Sequence, residues 1–92
     1  MIVRILGEGQ LELPATALEE LNGLDANLQE ACEAGDEAGF DSALATLLAR
    51  TRELGTALPD DHLEPSEFVL PSSDASLAEV AELLGEEGLI PG

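Results

Sequence analysis

The chain has one cysteine, no tryptophan or tyrosine and only two phenylalanines in 92 residues, and its three cations are all arginines, Arg4, Arg50 and Arg52. Each shortage excludes something. Cys32 by itself supports neither a disulfide framework nor a multi-cysteine zinc site. Nothing covalent therefore supplements the core, which in a domain this small hides only about 60% of the unfolded surface. With no lysine there is little to displace the counterions condensed on nucleic acid, so a nucleic-acid ligand is not expected. Anionic lipid repels the chain for the same reason, leaving the membrane to be reached only through another protein. No apolar run approaches the ~18 residues of a membrane span, and the apolar part of MIVRILGEGQ is too short for a secretory signal, so a soluble cytoplasmic protein is expected.

What the chain has in excess is acid. Asp and Glu number 20, giving a formal net charge of -17, while 45% hydrophobic and 25% charged residues match a folded chain rather than a disordered one. One domain over residues 1–92 is expected. The acidity has two compatible readings: solvation in a lysine-poor, high-salt proteome, or complementarity to a basic protein partner.

Ile2 to Leu6, the turn Gly7-Glu8-Gly9 and Gln10 to Leu13 read as a hairpin over residues 2–13. A three-residue loop with Gly9 left-handed pairs Leu6 with Gln10, Ile5 with Leu11, Arg4 with Glu12 and Val3 with Leu13. Val3, Ile5, Leu11 and Leu13 then share one face, and Arg4 faces Glu12 on the other. After Pro14, the capping-box spacing Thr16 to Glu19 and the recurrence of Leu18, Leu21, Leu28 and Cys32 predict a helix over 15–34. Asp36 caps a second helix over 36–55, whose stripe is Phe40, Ala43, Leu44, Leu47, Leu48 and Leu54. Arg50 and Arg52 complement its carboxyl end, and the short connection makes the two helices antiparallel.

Pro59, Pro65 and Pro71 make 56–73 irregular, with Phe68-Val69-Leu70 either a third strand beside the hairpin or a wrap across the helices. Ser76 to Glu79 repeats the capping-box spacing, and Leu77, Val80, Ala81 and Leu84 form the buried face of a helix over 76–85, closed by Gly85. The tail 86–92 carries Leu89 and Ile90, too apolar for an ordinary solvated end. The expected fold class is α+β: a small antiparallel hairpin on a helical hairpin, with a short C-terminal helix completing a core centred on the second helix.

No catalytic, cofactor or metal site is expected. His62, beside Asp60 and Asp61, reads as a solvated loop histidine, and Cys32 as a small core residue with no cation near it to make a thiolate. The acidic pairs lack the alternating Asp/Asn spacing of a calcium loop, and Gly7-Glu8-Gly9 leads into a strand rather than a phosphate-cradling helix.

The order MIVRILGEGQ, LPDDHLEPSEFVLP, LLGEEGLIPG resembles the PspAA family, small proteins associated with phage shock protein A. The likeness runs from Met1 to Gly92 and is strongest over residues 1–10, 58–71 and 88–92; His62 stands where the family is expected to carry an acid. The resemblance implies a place in the envelope-stress response, beside a long helical membrane-remodelling protein related to ESCRT-III subunits. It carries over no catalytic residues. It makes the chain a non-enzymatic adaptor, peripheral to the inner face of the membrane through its partner. An apolar anchor with an acidic rim would complement basic amphipathic helices, and Phe68, Leu70, Leu89 and Ile90 are the anchor candidates. A symmetric homodimer through an exposed hairpin edge is a further expectation, and an acidic antagonist of a basic transcription factor is the alternative function.

Overall fold

A computed structural model describes residues 1–59 and 65–84. In chain order it has β1 (Ile2–Ile5), β2 (Gly9–Glu12), α1 (Ala17–Ala34), α2 (Glu37–Leu54), β3 (Thr56–Ala57), β4 (Phe68–Leu70) and α3 (Leu77–Leu84). Three helices and a four-stranded mixed sheet, ordered β3-β2-β1-β4, make the fold α+β.

The hairpin forms where expected, with a register two residues away from the expected one. Val3 pairs with Leu11, Arg4 with Gln10 and Ile5 with Gly9, and Ile2 rather than Arg4 stands opposite Glu12. Turn chemistry decides this. The Glu8 amide donates to the Ile5 carbonyl at 2.9 Å, closing a turn whose third residue is Gly7 at φ 84°. Positive φ at that place is the demand of a type II turn, and Gly9 at φ 115° then opens the returning strand. A shift of two leaves every side chain on its face, so the polar–apolar pattern alone does not distinguish the two pairings. The ladder continues to Met1 and Leu13, where the Leu13 amide donates to the Met1 carbonyl at 2.7 Å.

Phe68–Leu70 is a strand, paired in parallel with β1, Val3 beside Phe68 and Ile5 beside Leu70. β3, within the stretch read as irregular, pairs antiparallel with β2. Both edges of the hairpin are therefore occupied, and the sheet ends instead at β3 and β4.

α1 ends at Gly35, left-handed at φ 68°. Asp36 caps α2 by accepting from the Gly39 amide at 3.0 Å, and the Ser76 hydroxyl accepts from the Glu79 amide at 3.2 Å at the start of α3. Thr16 does not cap α1. It has already turned helical (φ -66°, ψ -18°), so its side chain makes no cap bond; bonds from Ala17 to the Pro14 carbonyl and Leu18 to the Ala15 carbonyl lead the chain in. Val3, Ile5 and Leu13 from the hairpin, Leu21 and Leu28 from α1, Phe40, Leu44, Leu47 and Leu48 from α2, Phe68 and Leu70 from β4, and Val80 and Leu84 from α3 form one buried cluster. α1 lies against both α2 and α3.

Candidate interaction surface

Buried apolar groups give an interface most of its affinity, whereas rim charges mainly steer encounter. The anchor candidates fare unevenly on that test. Phe68 and Leu70 face inward beside Val3 and Ile5 and are 7% and 0% exposed, so both belong to the chain's own core. Alternation along β4 turns Val69 outward, 41% exposed beside Arg4. Among the described residues the large exposed apolar side chains are Leu6, Val69 and Leu83, none of which is among the anchor candidates read from the sequence. Period-two alternation would have identified Val69 once residues 68–70 were taken as a strand with an inward Phe68. Leu89, Ile90 and His62 lie outside the described residues.

The cations are distributed unevenly. Arg50 on α2 forks onto Glu20 of α1 and reaches Glu53 at 2.6 Å, and Arg52 grips Glu8 of the hairpin turn, its Nε donating at 2.8 Å. The guanidinium hydrogen bonds hold the Glu20 and Glu8 carboxyls below the usual carboxylate range and push both arginines up. Arg4 is exposed on the outer sheet face. All three arginines thus belong to the sheet or to the end of the helical hairpin joined to it. Residues 21–49 hold Asp25, Glu30, Glu33, Asp36, Glu37 and Asp41 and no Lys, Arg or His.

A groove of about 450 Å³ runs along the seam between α1 and α2 in that cation-free stretch. Leu24, Asn27, Glu30, Ala31 and Ala34 line it from α1, and Gly39, Ser42, Ala43 and Thr46 from α2. Asp36 closes one end. These residues sit beside the core stripes of the two helices, so the groove opens to solvent. Sequence reading missed it because a seam exists only once two helices are placed side by side.

Cys32 is half-buried on α1, its thiol pushed up first by burial and then by the Glu33 charge, which is the reverse of what a thiolate nucleophile requires. Among the described residues no three His, Cys, Asp or Glu side chains converge on a metal-sized space. No described helix is long and apolar enough to cross a membrane.

Compared with known proteins, the chain matches the family model described as PspA-associated protein over residues 1–92. No curated protein and no solved structure matches it. The match covers the full chain, strands, helices and the segments between them alike, and on it the chain belongs to the PspAA family of PspA-associated proteins.

Proposed function

We propose that the chain is a non-enzymatic, cytoplasmic adaptor of the phage-shock envelope-stress response. It binds a helical protein of the phage shock protein A type and reaches the inner face of the membrane only through that partner. The observation that carries this reading is the family match over residues 1–92, whose name implies association with PspA. Charge supports it. A formal net charge of -17 with two of three arginines held in ion pairs favours a basic protein surface over lipid or nucleic acid. Rim carboxylates steer the encounter, and apolar contact gives the complex its lifetime.

The test is co-expression with the phage shock protein A homologue of the same genome, followed by light-scattering chromatography at low salt. A second preparation lacks Leu89 and Ile90. A stable complex is the expected result, and its loss in the shortened chain would assign the anchor to the tail. Separate elution at high concentration and low salt would refute the adaptor reading.

A further inference from the structure

We infer that the groove between α1 and α2 receives one helix of the partner, about three turns long, with small or apolar residues along the stripe that enters it and Lys or Arg on its flanks. The inference rests on the adaptor reading above and adds the surface and the shape of what binds there.

Shape comes first. Leu24 and Ala34, at the two ends of the α1 wall, are ten residues apart in sequence, about 15 Å along a helix axis and so close to three turns. Half-buried Leu24 and Ala31 on one side and half-buried Ala43 on the other form an apolar floor, and Ala34 and Gly39 keep the walls low. A third helix laid along such a seam approaches both others at the ordinary 8–10 Å packing distance. Elsewhere α1 already packs against a further helix, with Val80 and Leu84 of α3 in the core.

Charge then selects among occupants of that shape. Glu30 and Asp36 stand on the groove, and the helical stretch 21–49 around it adds exposed Glu33, Glu37 and Asp41 and contains no Lys, Arg or His. Arg50 and Arg52 are engaged with Glu20, Glu53 and Glu8 at the opposite end of the hairpin. A second copy of this chain, itself at net -17, is repelled from such a surface, and so is an anionic headgroup. A helix with basic flanks gains on both counts, from apolar contact in the floor and from ion pairs at the rim.

The experiment measures affinity of the full chain for the full-length phage shock protein A homologue by biolayer interferometry. Wild type is compared with Thr46→Trp and Ala34→Trp, which fill the groove from exposed positions, with Glu30→Arg, which reverses the rim charge without filling it, and with Val69→Ser on the sheet. Circular dichroism checks that each variant remains folded. The expected result is a loss of about tenfold or more, roughly 1.4 kcal/mol, for the tryptophan variants and for Glu30→Arg, with Val69→Ser within about twofold. Binding by wild type that is unchanged in the three groove variants, or lost only in Val69→Ser, overturns the groove assignment and leaves the adaptor reading standing. No binding by wild type overturns both.

Discussion

A Cβ added at Gly55 would stand 2.9 Å from the Thr51 carbonyl oxygen, 3.1 Å from Leu11 Cβ and 3.2 Å from Leu13 Cδ2. Backbone conformation does not demand glycine there, since φ is -92°. Crowding does: the end of α2 passes directly over the returning strand of the hairpin. Gly55→Ala should therefore lower stability by about 1–3 kcal/mol, the usual cost of forcing extra volume into packed structure, measured by urea unfolding. A tolerated substitution would mean that the strand moves away easily. Leu47 poses the opposite problem. It is 0% exposed within the central cluster, and Leu47→Ala should cost on the order of 2–5 kcal/mol, whereas Glu37→Ala on the exposed first turn of the same helix should stay within about 1 kcal/mol. Equal melting shifts for the two would contradict α2 as the centre of the core. The leucine stripe made Leu47 legible from sequence. Gly55 was legible as a helix end but not as a contact, because its neighbours Leu11 and Leu13 come from a distant part of the chain.

At the scale of elements, two of the three expected capping residues bond as their spacing suggested. Asp36→Ala should destabilise by about 0.5–2 kcal/mol through loss of the Gly39 bond, while Thr16→Ala should be close to neutral because its hydroxyl caps nothing. The difference arises from how the chain enters the helix: Pro14 and Ala15 already begin a turn ahead of α1, so Thr16 never takes the extended backbone that aims a capping oxygen at the first amides. Helices α1 and α2 were legible because their stripes extend over 18 residues each. Hairpin register was not, since alternation repeats every two residues and both glycines allow a turn; Gly7 at the third turn position is the local signal that settles it. The two-residue β3 and the parallel pairing of β4 depend on which strand edge each meets, which no local pattern encodes. α1 and α2 are also joined by Glu20 and Arg50. The Glu20 carboxyl is held below its unfolded pKa by the guanidinium hydrogen bonds, so its contribution is complete above the unfolded value of about 4.3 and disappears as pH falls through the lower folded value. Wild type should melt above Glu20→Gln at pH 7, and the gap should close as pH falls and the carboxyl becomes protonated in both states. A gap that stays constant as the solution is acidified would assign the effect to packing of the side chain rather than to its charge.

For the whole molecule, the same sequence that advertised an acidic protein left its polarity hidden. Counting charges yields -17, but only the antiparallel placement of α1 and α2 gathers Arg50, Glu20 and Glu53 at one end and leaves Glu30 and Asp36 beside an uncompensated groove at the other. Two electrostatic effects then oppose each other. Ion pairs at Glu20, Glu53 and Glu8 favour the fold, yet they are exposed surface pairs, individually weak, and salt weakens them further. Mutual repulsion among the remaining carboxylates opposes the compact state, and salt weakens that too, with a screening length of about 30 Å at 0.01 M falling to about 10 Å at 0.1 M. Three arginines face 20 Asp and Glu carboxylates, so repulsions outnumber attractions and extend over longer distances. Raising sodium chloride from 0.01 to 0.5 M should therefore raise Tm, with most of the gain below about 0.1 M, where the screening length contracts to less than the dimensions of the molecule. Chloride is the anion of choice because sulfate would strengthen apolar burial independently of charge. The same titration should weaken the partner complex, because attraction between an acidic surface and a basic helix is screened by the same ions. Opposite slopes, stability rising while affinity falls, are the signature expected of an acidic domain whose excess charge serves an interface at some cost to the fold. A Tm that falls with sodium chloride would instead make the arginine pairs the dominant electrostatic element of the molecule.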